Sequence, residues 1–221
     1  MMQVEYSQTR DLFIRPETFD DTIAAEVTTY KHLLPALGGT LLDVGGNIGV
    51  VARWWLKSGG TRVISVEPEP ENADLLRQNL ASFGVRATVI EAAAVNREAP
   101  VSMDLFITNG VNKGSHTLRP TRGREKITVR TVPLSALIET YEPDVVKIDI
   151  EGGEFTLIRE ILSLPLHVRR LAIEYHVLPK GTREKAVAID ASLRDSTRNW
   201  IPTRGKGISA GAWYVMRTYK R

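Results

Sequence analysis

The spacing of apolar positions changes period repeatedly along the chain, and those changes outline alternating helices and strands. Residues 21–37 (DTIAAEVTTYKHLLPAL) carry helical spacing, and GTLLDVG (39–45) follows as a short apolar run ending in an acid and a glycine. GVVARWWLKSG (49–59) predicts a helix that closes on Gly59 and Gly60, TRVISVE (61–67) a β-rich strand, and PENADLLRQNLASFG (70–84) a helix with a terminal glycine. ATVIEAAAV (87–95) predicts a third strand. Between 100 and 133, the β-rich pieces VSMDLFI and KITVRTV surround the polar stretch NGVNKGSHTLRPTRGRE, a hairpin or excursion at the sheet's rim. LSALIETY then reads as a helix, PDVVKIDI (143–150) as a buried fourth strand, EFTLIREILSL as a helix, RRLAIEYH (169–176) as a fifth strand and TREKAVAIDASLRDS as a helix. WIPTRG and GAWYVMRTYK close the chain as two strands with no helix between them. Strands separated by helices of this length imply an α/β, three-layer, doubly wound sheet that is mostly parallel and covered on both faces, with an antiparallel C-terminal edge hairpin.

No repeat period, low-complexity tract or long Pro/Gly/Ser linker interrupts this order, so one domain is expected over residues 1–221, with 1–38 as an N-terminal segment and helix and 39–221 as the core. A chain of 221 residues can bury a sizeable core without a disulfide or zinc staple. It has no cysteine, which excludes disulfide frameworks, cysteine-ligated zinc, iron–sulfur clusters and thiolate nucleophiles. Its apolar runs fall far short of the roughly 20 residues of a membrane-spanning helix, so no membrane partner is expected. The first residues, MMQVEYSQTRDLFIRPETFDD, mix acids and bases without a continuous apolar stretch, so no signal peptide is expected and a cytoplasmic location is. The net charge of +3, from 29 basic and 26 acidic groups, is compatible with an anionic partner and does not require one.

Chemistry concentrates first where the opening strand turns into its helix, at Asp43-Val44-Gly45-Gly46-Asn47-Ile48-Gly49, the crevice position at which doubly wound sheets bind ligands. Glycine there lets backbone approach a ligand or a neighbouring segment. Glu67 ends the second strand, 24 residues after Asp43, where a carboxylate can accept hydrogen bonds from both hydroxyls of a ribose. The two features together suggest an adenosine-type ligand; the plainer reading is a tight turn followed by a solvent-facing acid. With its central glycine on Gly45, the dinucleotide pattern G-x-G-x-x-G meets Asp43 and Ile48 at its other two glycine positions and fails. What stands there is acid-x-G-x-x-x-G, a pattern that resembles S-adenosyl-L-methionine (SAM) enzymes with the Rossmann-like class I methyltransferase fold.

The second such stretch is Lys147-Ile148-Asp149-Ile150-Glu151-Gly152-Gly153-Glu154, at the end of the fourth strand. LLDVGGNIGV, VISVEPEPENADLLRQNL, VVKIDIEGGEFTLI and LAIEYH, in this order, resemble the FkbM family of SAM-dependent methyltransferases, and FIRPETFDDTIAAEV is similar to that family's approach to the fold. The resemblance runs from about Phe13 to His176. It implies SAM as cofactor, with Asp43, Gly45, Gly46, Asn47 and Gly49 around its methionine end, Glu67 on its ribose, and Glu91 and Ala92 flanking the adenine. If Glu91 is instead an exposed strand end, the adenine falls to backbone and to packing on Pro68. The expected reaction is O-methylation of a hydroxyl on a small molecule or glycan.

In methyl transfer from a sulfonium, the protein mainly positions the acceptor and removes its proton. Asp149, at the crevice, is the expected base and a neighbour of the cofactor, with Glu151 beside it as a second catalytic acid; the alternative makes Glu151 and Glu154 first-turn acids neutralised by Lys147, and Glu154 reads as structural. His116 in the rim excursion is a base or acceptor-binding group, or else a surface-loop histidine. Glu174 and His176 point to one face and could join Asp149 in orienting an acceptor or holding a divalent ion, although no metal is assigned. Arg119, Arg122, Arg124, Lys126 and Arg130, against the single acid Glu125, suit an anionic acceptor or form a solvated strand face. No aromatics interleave with them, so nucleic acid is not the favoured partner. An RNA ribose methyltransferase would have to recruit Lys31, Asp149, Lys180 and Glu174; a non-catalytic SAM-binding module is the alternative outside enzymes.

Overall fold

The computed structural model describes residues 3–25, 27, 30, 38–108, 110–177, 181–195, 200–204 and 214–220. Seven strands form the central sheet: β3 (Thr40–Val44), β4 (Arg62–Glu67), β5 (Ala87–Glu91), β9 (Val145–Ile148), β10 (Arg170–His176), β11 (Ile201–Arg204) and β12 (Tyr214–Lys220). Their order is β11-β12-β10-β9-β3-β4-β5. The five strands from β10 to β5 run parallel, and β12 lies antiparallel between β10 and β11. The C-terminal pair is therefore the expected antiparallel ending, and the α/β class follows from the alternation of periods.

Both faces are covered because successive strand residues point to opposite sides. Leu42, Ile64, Val146 and Leu171 pack against α4 (Leu134–Tyr141), α5 (Ile158–Leu162) and α6 (Thr182–Asp195). Leu41, Val63, Val145 and Ala172 pack against α2 (Val50–Lys57) and α3 (Pro70–Leu80). Trp55 of α2 is fully buried, and its Nε1 donates to the Arg62 carbonyl at 3.0 Å, so the indole fills volume without stranding its polar atom. Glu69 caps α3, accepting from the backbone N–H groups of Glu71 (3.2 Å) and Asn72 (2.7 Å), with Pro70 at the first helical position.

Two departures from the sequence expectation matter for the site. ATVIEAAAV is two strands: β5 leaves the main sheet after Glu91 pairs with Glu67, and β6 (Ala93–Val95) pairs in parallel with β8 (Glu125–Pro133), which pairs antiparallel with β7 (Ser102–Ile107). The expected rim hairpin is this small second sheet, and it draws the third strand apart. EFTLIREILSL is a 3₁₀ turn at Glu154–Thr156 followed by the five-residue α5, because the Glu154 carboxylate accepts the Gly152 N–H (2.8 Å) and holds the turn. The start of the helix expected over 21–37 is present as α1 (Asp20–Ala25); residues 26, 28, 29 and 31–37, Lys31 among them, lie outside the described residues, as does Lys180.

The N-terminal segment is anchored by polar contacts that carry no periodicity. The strands β1 (Glu5–Ser7) and β2 (Leu12–Ile14) form a hairpin, and Asn79 ties it down by accepting from the Phe13 N–H (2.7 Å) and donating to the carbonyls of Phe13 (2.9 Å) and Ile48 (2.8 Å). Arg15 and Asp20 form a fully buried pair (2.8 and 2.9 Å) at the start of α1. No helix among the described residues is long and apolar enough to cross a membrane.

Candidate active site

At the carboxyl ends of β3, β4 and β9 lies a cleft of about 810 Å³. Its floor is the glycine turn. Gly45 adopts φ +84°, and a Cβ there would lie 1.7 Å from the Asp149 carbonyl oxygen, so only glycine lets the β3 turn press against the end of β9. The N–H groups of Gly45 and Gly46 both donate to the Val66 carbonyl (2.9 and 3.0 Å), fixing the turn to β4 as well. Asn47 follows at φ +47°, a left-handed conformation that asparagine tolerates.

Glu67 closes one side. Its carboxylate is 5% exposed and accepts the N–H groups of Asn47 (2.8 Å) and Glu69 (3.0 Å). Burial pushes it up to about 7, against the downward pull of those two hydrogen bonds. Asn47 Oδ1 and Asn72 Oδ1 are buried without a hydrogen-bond partner, and both residues line the cleft. Buried acceptors are rarely left unmade, and beside Glu67 they suit a ligand rich in hydroxyl and amino donors. SAM is such a ligand, so the residues present fit the cofactor that the sequence resemblance implies.

The opposite end is a cluster of charge. Asp43, wholly buried, accepts from Ser65 Oγ (3.0 Å) and meets Lys147 Nζ at 3.2 Å; burial raises its carboxyl, with Lys147 and Ser65 holding it down. Lys147 also donates to the Gly45 carbonyl (2.7 Å) and lies 3.6 Å from Asp149 Oδ2. Burial works against its charge, and Asp43 and Asp149 hold it protonated. The Tyr30 hydroxyl lies 3.2 Å from both Asp149 Oδ2 and Glu174 Oε2. One hydroxyl hydrogen cannot serve both at once; burial and the neighbouring Asp149 push the Glu174 carboxyl up to about 8, against the pull of His176, Lys147 and the Tyr30 hydroxyl.

His176 completes this end. Its Nδ1 lies 3.2 Å from Glu154 Oε1, and its Nε2 lies 3.3 Å from Glu151 Oε2 and 3.9 Å from Asp149 Oδ1. Burial opposes the imidazolium, but hydrogen bonds to Glu151 and Glu154 push it up to about 12. One donor atom each from Asp149, Glu151 and His176 lies within 4.8 Å of the others, a set able to ligate a divalent ion; the imidazolium supplies positive charge to the same carboxylates. Glu154 is fully buried, with Oε1 accepting the His176 N–H (2.6 Å). Lys147 does not neutralise Glu151 and Glu154, as the sequence suggested. It points to Asp43, its register partner on β3, and to Asp149 just beyond its own strand, and His176 takes the other two.

The rim segment forms the roof. Thr117 Oγ1 donates to the Glu151 carbonyl (2.7 Å), and Asn72 Nδ2 donates to the Lys113 carbonyl (3.0 Å), so the segment spans the cleft from the Glu67 side to the acid cluster. His116 Nδ1 accepts the Thr108 N–H at 3.1 Å. Thr108 Oγ1, 3.3 Å from the same nitrogen, spends its hydrogen on the Asn112 carbonyl (2.6 Å). The ring hydrogen therefore sits on Nε2, which is buried and has no partner. Burial, with the charges of Lys113, Arg15 and Arg124 around it, brings the imidazole down to about 4 against the upward pull of the nearby Lys113 carbonyl, so it is neutral at physiological pH.

Gly45, Gly46, Asn47, Glu67, Pro68, His116, Asp149 and Glu151 line the cleft together, while Asp43 and Gly49 support it from behind. Glu91 does not line it: 40% exposed at the side chain, it pairs with Arg77 at 2.7 Å. Ala92 is buried outside it, its N–H shared between the Glu67 and Ile90 carbonyls (3.2 and 3.1 Å), and the wall there is Ala93 and Ala94, displaced by the break between β5 and β6. Of the arginine-rich run, Arg119 and Arg124 line the cleft, whereas Arg122, Lys126 and Arg130 are exposed outside it. Sequence reasoning missed Tyr30, Asn72 and the bridging part of Lys147. A lysine two residues before Asp149 on a buried strand was the available signal for the last; nothing local marked the other two.

A parallel sheet ending in an inserted antiparallel strand, with a glycine cradle and a buried acid one strand further on, defines the class I methyltransferase fold. Solved structures agree on the fold. The methyltransferase FkbM from Methylobacillus flagellatus KT superposes with a TM-score of 0.54 at 17% identity, over 86% of this chain and 46% of that one. The C-terminal domain of precorrin-6Y C5,15-methyltransferase from Rhodobacter capsulatus gives 0.51 at 16% identity, over 90% and 89%. Residues 43–198 match the methyltransferase FkbM domain, and the chain belongs to the FkbM methyltransferase family. It is similar to the hexuronic acid methyltransferase AglP of Haloferax volcanii, 28% identical over 141 residues, which cover 62% of this chain; it spans 55% of that curated relative's length.

Proposed function

We propose that the chain transfers the methyl group of SAM to a hydroxyl oxygen of a small molecule or glycan. The observation that carries this reading is the continuity of one cleft from a glycine cradle with orphaned acceptors, Asn47 Oδ1 and Asn72 Oδ1, to the Asp149 carboxylate. When bound, SAM supplies an electrophilic methyl group on a sulfonium. Gly45, Gly46 and Asn47 would hold its methionine end, Glu67 its ribose, and Pro68 with Ala93 and Ala94 its adenine. Glu67 suits two hydroxyl donors, because each of its oxygens spends one lone pair on a backbone N–H and keeps another.

Asp149 takes the acceptor's proton. Lys147 and the Tyr30 hydroxyl fix its Oδ2, leaving Oδ1 toward His176, and a fixed carboxylate positions the hydroxyl it deprotonates. Similarity to a relative that acts on a hexuronic acid supports a sugar-type acceptor. The test is incubation with methyl-labelled SAM against separate metabolite, glycan and RNA pools. Label in the small-molecule or glycan fraction is expected; label confined to RNA overturns the acceptor class.

A further inference from the structure

His116 lies between the two halves of the site with an unmet donor. Two residues before it, Gly114 packs against Asn47 of the cofactor turn, where a Cβ would meet Asn47 Nδ2 at 3.2 Å; one residue after it, Thr117 is bonded to Glu151 of the acid end. Its Nδ1 is engaged by a backbone N–H that cannot reverse its polarity, so the imidazole can offer only Nε2–H to the cleft. A proton acceptor at Nε2 would need the other tautomer, which would set two N–H groups against each other at 3.1 Å. Arg124, whose Nη1 is held by the Ser115 carbonyl (2.6 Å), lines the same stretch.

His116 and Arg124 line the same cleft, and a buried N–H with no hydrogen-bond partner and a guanidinium on one stretch of its wall match an anionic oxygen better than a neutral or cationic group. We propose that His116 and Arg124 form a carboxylate-binding subsite in the roof of the cleft, with His116 a hydrogen-bond donor and not a base. The inference rests on the methyl-transfer reading for its ligands, since the carboxylate belongs either to the methionine end of SAM or to an acidic acceptor such as a uronic acid. His116 lies within the roof that joins both sides, so either source reaches it.

The tautomer is tested without any ligand, by long-range ¹H–¹⁵N NMR on the histidine-labelled chain, with His116 assigned through His116→Gln. A neutral ring protonated at Nε2 across pH 5.5–8 is expected; a ring protonated at Nδ1 overturns the proposal. Calorimetry then separates the sources. SAM against decarboxylated SAM probes the cofactor carboxylate, and D-glucuronate against D-glucose, with S-adenosylhomocysteine present, probes an acceptor carboxylate. Loss of roughly tenfold or more in one of these preferences in His116→Phe and Arg124→Ala identifies the source. His116→Gln keeps a donor and retains part of the preference, and Arg122→Ala, on an exposed residue outside the cleft, leaves both unchanged. If neither preference moves by more than about twofold in His116→Phe while that protein still binds SAM, the subsite is refuted. Failure of the wild-type chain to bind SAM would instead sink the cofactor reading, whatever the tautomer.

Discussion

Glu67→Gln isolates what it costs to keep an acid buried beside the glycine turn. Burial lifts this carboxyl from 4.5 to about 7 in the folded protein, which corresponds to roughly 3 kcal/mol of linked stability. The folded state holds the proton more tightly than the unfolded chain does, so this contribution is present in full below pH 4.5 and is lost as pH rises through about 7. Glutamine does not ionise and escapes that loss, but its NH₂ must face one of the two backbone N–H groups that Glu67 accepts, a cost of about 1–3 kcal/mol at every pH. Glu67→Gln should therefore be less stable than the parent near pH 4.5 and equal to it or more stable near pH 8. Urea unfolding of both proteins across this range measures the difference, from which the titrations of Glu174, His116 and His176, common to both, largely cancel. Without a charged acceptor for the ribose hydroxyls, SAM affinity of the variant should fall roughly 10- to 100-fold. Stability profiles that run parallel from pH 4.5 to 8, or unchanged SAM affinity, would refute the reasoning.

Other perturbations probe separate parts of the account. Asp149→Asn removes the proposed proton acceptor and should lower kcat by about 10²- to 10⁴-fold while SAM binding holds; equal turnover, or loss of SAM affinity in step with turnover, would contradict the assignment. Tyr30→Phe takes away the hydroxyl 3.2 Å from Asp149 Oδ2 and should lower kcat by about tenfold, with KM for SAM unmoved, in steady-state kinetics. Gly45→Ala forces a Cβ to within 1.7 Å of a backbone carbonyl at a positive φ and should cost about 2–6 kcal/mol, whereas Gly59→Ala, at φ +98° with nothing within 4 Å, pays only the backbone strain of about 1–3 kcal/mol. Thermal melts of the two variants should separate accordingly.

The layer architecture was legible in the sequence because it depends on local periods: a buried strand such as VVKIDI carries its own apolar signal, and the glycine turn announces a tight approach without naming what it approaches. What the turn touches, the carbonyl of Asp149 some hundred residues later, is a long-range fact. The same limit explains Glu91. Its place at the end of a β-rich run implied a cleft position, but pairing of β6 with β8 redirects the chain at Ala92 and leaves Glu91 to Arg77. Lys147 and His176 stand out as polar residues near strand ends; their division of labour follows from register, since Lys147 pairs with Asp43 across β3 and β9 while His176 lies further along the same face, beside Glu151 and Glu154. Tyr30 carries no motif at all, since an aromatic in a helical stretch reads as core, and only the packing of the N-terminal segment over the cleft turns its hydroxyl toward Asp149.

The central claim is that the cleft between the glycine turn and Asp149 is a SAM site. Calorimetric titration of the chain with SAM and, separately, with NAD tests it most directly. The account predicts saturable SAM binding at one site per chain, weakened in Glu67→Gln, with no heat of specific binding for NAD. Tight NAD binding without SAM binding would contradict it.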